Sequence, residues 1–384
     1  MPLMFSRLSQ SISQSEIRNM SIECDRIGGI NMSQGVCDLD IPLPVKQGAI
    51  EAIEQGENHY TRYDGIESLR KAIEHKMLSY NNVKTDPEKN IIVSSGATGA
   101  FYSACLALLN PGDEVIFFEP YYGYHISTLL AVGAVPIYVT LSPPDWTFDM
   151  DELKQVVTSK TKGIMICTPA NPSGKVFTKD ELEKIADLAI KHDLFVFTDE
   201  IYEYFLYDGR KHISPASLDS IAERTITISG YSKTFSITGW RVGYAVCHEK
   251  WAQMIGYVSD LIYVCSPAPL QKGVAEGINQ LLPDYYQWLS HEYQIKRDQL
   301  CGTLLKIGIT PYIPHGAYYI LADVSSLPGK TSKEKAMFIL NKVGVATVPG
   351  EAFYASNKGE NLVRFCFAKS NAILEQACEQ LLKL

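Results

Sequence analysis

From residue 91 onward, short apolar runs alternate with longer stretches of helical periodicity. The runs at 91–95, 114–118, 135–139, 161–167, 194–198 and 225–229 are rich in Ile, Val and Phe and bounded by Gly, Pro, Asn or Asp, which predicts buried strands. Between them, 100–109 and 180–192 read as helices, and Asn110-Pro111-Gly112 stops the first. Strand, loop and helix repeating at this spacing predict an α/β fold, a mostly parallel sheet covered by helices.

The ends of the chain read differently. Residues 1–29 form an arm or a helix with a polar face, and 30–44 is irregular. Val45, Ala49, Ile50 and Ile53 give helical spacing over 45–55, a turn-rich loop follows at 58–65, and 66–80 is a second helix. Beyond about 282, a long helix at 284–306 leads to strands at 320–324, 345–348 and 362–367, with helices at 331–343 and 371–384. This predicts a large domain at 46–283 and a smaller α+β domain at 284–384, joined by the arm 1–45.

A chain of 384 residues with 46% hydrophobic content is long enough for two domains of roughly 150 residues each. Its net charge of −8 comes without a basic tract, which argues against nucleic acid as a partner. No apolar run approaches the roughly 18 residues of a membrane span. The Ser-rich start has no apolar core of a secretory signal. Nine cysteines are scattered without a C-x-x-C, and eight histidines lack ligand spacing. These features predict a cytoplasmic protein with reduced thiols, no disulfide framework and no metal site.

Parallel sheets bind ligands beyond the carboxyl ends of their strands. Polar clusters at 94–99, 168–174, 199–202 and 229–241 each follow a strand, so they are predicted to converge. Lys233 sits among small residues in Ser229-Gly230-Tyr231-Ser232-Lys233-Thr234. A partly desolvated lysine has a lowered pKa and acts as an amine nucleophile. Arg241 offers a planar fork suited to a phosphate. Asp199 ends an apolar strand, where a carboxylate is costly unless paired. It reads either as a helix N-cap or as a partner for a cationic ring nitrogen. Tyr202 either packs in the core or reaches an oxygen on that ring. Asn171, in Asn171-Pro172-Ser173-Gly174, is either part of a plain turn or a donor to the same oxygen.

The run from Ser229 to Gly243 resembles the pyridoxal-phosphate attachment signature of the class I aminotransferases. Asn171, Asp199 and Lys233 also follow that family's order and separations, and the resemblance extends from Gly35 to the closing helix. It implies a fold type I enzyme with pyridoxal 5'-phosphate held on Lys233, Asp199 keeping the ring nitrogen charged and Arg364 pairing with the substrate α-carboxylate. It places Gly35 beside that carboxylate, with Cys37 where the family often has Pro. Gly96, Ala97 and Thr98 resemble the phosphate loop at a helix start. Tyr122, or alternatively Tyr121, stacks on the ring. The family often has a phosphate-contacting hydroxyl where Gly230 stands, leaving Ser229 or Ser232 to supply it. Tyr60 resembles the tyrosine that reaches the phosphate of the other subunit, which implies a homodimer with shared sites.

The implied activity moves an amino group from an aspartate-like, aromatic or methionine-like amino acid to a 2-oxo acid such as 2-oxoglutarate. It runs by a ping-pong mechanism with Lys233 as general base and acid. No second arginine stands out for a side-chain carboxylate. A C–S β-lyase on the same fold is the alternative. A non-enzymatic regulator lacks a basic DNA-binding segment here. A dinucleotide-binding dehydrogenase is hinted at by 91–100, which lacks the full G-x-G-x-x-G and the acidic residue about twenty positions on.

Overall fold

The computed structural model describes all residues except 1–3, 11 and 13, so those positions of the expected N-terminal arm lie outside the described residues. Seven strands build the main sheet: β1 (Ile91–Ser95), β2 (Glu114–Glu119), β3 (Val135–Thr140), β4 (Thr161–Cys167), β5 (Phe195–Asp199), β6 (Thr225–Gly230) and β7 (Val242–Val246). Their order across the sheet is β1-β7-β6-β5-β4-β2-β3. All neighbours are parallel except β7, which runs antiparallel to both β6 and β1.

The apolar pattern predicts six of these strands and misses β7. Val242-Gly243-Tyr244-Ala245-Val246 carries two small residues and reads as a turn extension. Those small residues are what the position needs. Gly230 faces Gly243 in register, and a Cβ on Gly230 would stand 2.9 Å from the Gly243 Cα. A Cβ on Gly243 would lie 2.3 Å from the Ala97 amide nitrogen. A hydroxyl side chain at position 230 therefore has no room, and the close approach brings the lysine turn against the start of the following helix.

The helices that position the site are α1 (Glu16–Ile27), α2 (Glu67–Ser79), α3 (Gly96–Leu108), α4 (Gly123–Ala131), α5 (Glu249–Tyr263), α6 (Pro283–Lys306) and α7 (Ser332–Val343). The turn expected at 96–99 is the first turn of α3 itself. The sequence pattern also misses α4, α5 and the helix Ala268–Gln280. Helix α5 carries large apolar residues on its exposed side, including Leu261 at 86% exposure.

A second sheet contains β8 (Thr310–Tyr312), β9 (Tyr319–Asp323), β10 (Val348–Pro349) and β11 (Leu362–Cys366), antiparallel in the order β10-β11-β9-β8. The strand expected at 345–348 divides. Val345–Ala346 pairs parallel with Ile30–Asn31, while Val348–Pro349 pairs with β11. The N-terminal segment is thereby fastened beside the C-terminal sheet.

Behind β6 lies a buried polar network. Lys76 Nζ sits 2.5 Å from Glu203 Oε1 and 3.0 Å from the Tyr244 hydroxyl. Asn81 and Ser229 also donate to Glu203. Burial pushes the Lys76 pKa down, but the Glu203 carboxylate and Tyr244 outweigh it and hold it above the usual value. Glu200, Glu203 and His212 cluster within 4.8 Å, a grouping that their sequence spacing does not announce. His212 and Ser214 already engage Glu200, and Lys76 and Asn81 engage Glu203. Replacing Glu203 with alanine leaves the Lys76 charge unpaired and buried. The expected cost is about 3–5 kcal/mol, read as a lower midpoint in urea unfolding at unchanged slope.

Candidate active site

Five strands of the main sheet lead into one cavity of about 510 Å³. The turn after β1 contributes Ala97 and Thr98, and that after β2 contributes Tyr122. The turn after β4 contributes Asn171, and β5 contributes Asp199 and then Tyr202. The turn after β6 contributes Ser232, Lys233 and Arg241. From the other side come Gly35, Tyr319 on β9 and Arg364 on β11.

One corner is built for an anion. Helix α3 opens at Gly96 with no side-chain cap, so its first N–H groups and the positive end of its dipole are free. Arg241, held at φ +57°, donates from Nη1 to the Thr238 carbonyl at 3.0 Å and lies against Gly96. A Cβ on Gly96 would stand 2.2 Å from Arg241 Nη2, and Gly96 is at φ +73°. Gly96→Ala must therefore displace the guanidinium. The expected result is a roughly 10–100-fold weaker affinity for pyridoxal phosphate, read by absorbance titration of the apoprotein, because a charge-assisted hydrogen bond contributes about 1.5–3 kcal/mol.

Asp199 divides its two oxygens. Oδ1 accepts from the Ile201 amide at 3.1 Å, and Oδ2 lies 2.9 Å from His125 Nε2. An ionised carboxylate only accepts, so His125 carries its proton on Nε2 in this pair. Phe101 and Tyr122 hold the imidazole edge-to-face, with centroids 5.0 and 5.1 Å away. The carboxylate is thus oriented and tied to the turn. No helix follows Asp199, so the N-cap reading does not apply.

Lys233 is half-buried and donates from Nζ to the Gly35 carbonyl at 3.3 Å. Burial pushes its pKa below the ordinary lysine value, with Cys37 and Cys366 opposing and Arg241 adding to the fall. The thiol of Cys37 donates to the Lys233 carbonyl at 3.4 Å, which ties the 35–42 loop to the lysine turn.

Arg364 is fully buried. Its Nη1 donates to Asn171 Oδ1 at 2.8 Å and its Nη2 to the Ser33 carbonyl at 2.6 Å, while Nε has no partner. The guanidinium lies 4.3 Å from the Tyr319 ring centroid and 5.0 Å from that of Phe353. No side-chain carboxylate pairs with it among the described residues. A buried, oriented cation of this kind suits an incoming carboxylate. Because Asn171 accepts through Oδ1, its amide nitrogen remains available to donate. The Tyr202 hydroxyl is 2.9 Å from that of Tyr319, and a Cβ on Gly35 would stand 2.0 Å from the Tyr319 oxygen.

One sequence-based assignment falls outside the cavity, and two others can be located. Ser229 points behind the sheet, donating to Glu203 and to the Glu200 carbonyl; only Ser232 of the two serines lines the cavity. Tyr122 lines the cavity, whereas Tyr121 packs on Tyr138 at 5.4 Å. Tyr60 is 84% exposed and does not line the cavity of its own chain. His125 and Tyr319 are site residues that sequence reasoning misses, since their partners lie 74 and 117 residues away.

An amine of lowered pKa, a fixed carboxylate and an anion corner in one cavity suit a phosphorylated pyridine aldehyde. The family comparison agrees: the aminotransferase class I and II family matches residues 27–381, and the chain belongs to it. The protein is an aminotransferase of fold type I that depends on pyridoxal phosphate. It is 36% identical over 380 residues to an aspartate aminotransferase of Pyrococcus abyssi, covering 97% of this chain and 96% of that one. It is 35% identical over 397 residues to a kynurenine–oxoglutarate transaminase of Dictyostelium discoideum, covering 94% and 91%. The solved structure of YbdL from Escherichia coli, described with a methionine aminotransferase function, superimposes with a TM-score of 0.95 at 29% identity over the full length of both chains.

Proposed function

We propose that this aminotransferase takes its amino group from an aspartate-like, aromatic or methionine-like amino acid and passes it to a 2-oxo acid such as 2-oxoglutarate in a ping-pong cycle. The observation that carries this reading is the convergence of Lys233, the Asp199–His125 pair and Arg364 on one cavity. When bound, pyridoxal phosphate supplies the electron sink for a carbanion at the substrate α-carbon. Arg364, flanked by Asn171 and Gly35, receives the α-carboxylate. Lys233 would hold the cofactor and, once released, would take the proton from the substrate α-carbon and deliver it to the carbon through which the cofactor had been attached. Asp199, fixed by His125, would keep the ring nitrogen protonated. Ala97, Thr98, Ser232 and Arg241 would hold the phosphate, Tyr122 would face the ring, and Tyr202 and Asn171 would donate to its oxygen.

The test is a titration of the holoenzyme with single amino acids and no acceptor. A visible band that shifts on adding the donor and returns on adding 2-oxoglutarate supports the ping-pong cycle. A band that persists while pyruvate and ammonia accumulate moves the reading to the C–S β-lyase.

The same proposal includes a homodimer with shared sites. Tyr60 and Leu261 are 84% and 86% exposed, and the Tyr63–Tyr257 edge contact at 5.6 Å sets the Tyr60 loop beside α5. A second copy would cover this apolar face and receive Tyr60 at its phosphate corner. Refolding Tyr60→Ala together with Lys233→Ala should give more activity than the two variants assayed separately, because each hybrid dimer regains one complete site. Activity equal to the average of the two would remove the shared site. The division into 46–283 and 284–384, with 1–45 as an arm, is supported by the two separate sheets and by α6 leading from one to the other. A cytoplasmic setting fits the nine unpaired cysteines and the lack, among the described residues, of a helix long and apolar enough to cross a membrane.

A further inference from the structure

The charged groups lining the cavity are unevenly matched. Four are cationic side chains, Arg18, Lys233, Arg241 and Arg364, and one is a carboxylate, Asp199, which is engaged with His125. In the proposed reaction Arg241 meets the phosphate, Arg364 meets the α-carboxylate, and Lys233 is consumed by the cofactor and the proton transfer. Arg18 alone has no anion assigned. It is exposed at the cavity wall, and among the described residues its side chain makes no hydrogen bond or ion pair.

The helix that carries Arg18 is fastened in place. The carboxylate nearest in sequence, Glu16, pairs with Lys333 on α7 at 3.1 Å and accepts from Asn19, so it does not neutralise Arg18. Ser21, three residues after Arg18 and on the same helix face, sits 3.3 Å from the Ser33 hydroxyl. The Ser33 carbonyl in turn accepts from Arg364. Arg18 therefore stands on the face of α1 turned toward the loop that holds the α-carboxylate arginine. The cavity lining also includes Ile17, Val36, Tyr122 and Tyr124, with Gln34 and Thr128 as uncharged polar neighbours.

We propose that Arg18 is a specificity-determining residue, binding the distal carboxylate of dicarboxylic amino and 2-oxo acids while the apolar wall accommodates neutral side chains. This rests on the substrate reading above and names its second carboxylate contact. An arginine at the mouth of a cavity, free of an internal partner, incurs little cost when a neutral side chain binds, so one site would accept both classes. Selectivity would come from the charge-assisted contact made only by the dicarboxylate.

The test measures binding of glutarate and butyrate, neither of which transaminates, to the holoenzyme by calorimetry. Wild type is compared with Arg18→Met and Arg18→Lys. The ratio of the butyrate to the glutarate dissociation constant is expected to fall about 10–100-fold in Arg18→Met, the range of a charged hydrogen bond, and less in Arg18→Lys. The ratio of kcat/KM for 2-oxoglutarate to that for phenylpyruvate should fall in parallel. A ratio unchanged in Arg18→Met, or equal weakening of both ligands, overturns the assignment. Failure of every amino acid to shift the absorption of the wild-type holoenzyme would instead overturn the ping-pong reading, independently of Arg18.

Discussion

Lys233→Ala is expected to lower turnover by at least about 10⁴-fold, because in the proposed cycle one side chain both anchors the cofactor and moves the α-proton. The position is fixed from several directions. Its carbonyl is held by Cys37, its Nζ by the Gly35 carbonyl, and its turn by the close contact of Gly230 with Gly243. Truncation removes the amine and its bond to the Gly35 carbonyl but leaves the Cys37 and Gly230–Gly243 contacts in place, so the fold should persist. Two measurements separate chemistry from folding. Borohydride reduction followed by peptide mapping should add the cofactor mass to the Lys233 peptide in wild type only. Small primary amines added to the variant should restore part of the turnover, since they supply the missing base. The pH dependence has a definite sign. Burial lowers the Lys233 pKa, so the neutral amine predominates from a lower pH than for an ordinary lysine. Cofactor attachment to the apoprotein should rise with pH and level off below the range in which exposed lysines titrate. An attachment rate that keeps rising through the ordinary lysine range would contradict a desolvated amine.

What the sequence makes legible follows from the range of the interactions involved. The parallel strands are continuous apolar runs, because both faces are covered, and they show without any tertiary knowledge. Lys233, Asp199, Asn171 and Arg241 show because each ends or follows such a strand, where a small or charged residue is conspicuous. Strand β7 does not show, since its Gly243 answers a steric demand from β6 and α3 rather than a local preference. His125 is an unmarked polar residue on an apolar helix until the fold sets it 2.9 Å from Asp199. Ser229 and Ser232 are equivalent as letters, and only the strand end decides that one faces Glu203 and the other the cavity. Arg18 belongs to a polar arm in the sequence and becomes a cavity residue only when Ser21 meets Ser33.

The second large effect is expected at Asp199. Asp199→Asn keeps the shape and the acceptor for the Ile201 amide, so the turn after β5 should stay folded. It removes the charge that, in the proposed cycle, stabilises a protonated ring nitrogen, and its amide nitrogen would face His125, reversing the proton arrangement of that pair. The expected loss is about 10²–10³-fold in kcat, the size seen when a preorganised electrostatic group is removed, with a smaller change in KM because Arg364, the proposed partner of the α-carboxylate, is untouched. His125→Gln acts only through the carboxylate it orients and should lose about 10-fold. Combined with Asp199→Asn it should add little further loss, since residues that act as one unit are not additive. Full additivity of the two would mean that His125 contacts the reacting groups itself. A kcat for Asp199→Asn within about threefold of wild type would remove Asp199 from the electronic part of the reaction and leave it a turn residue.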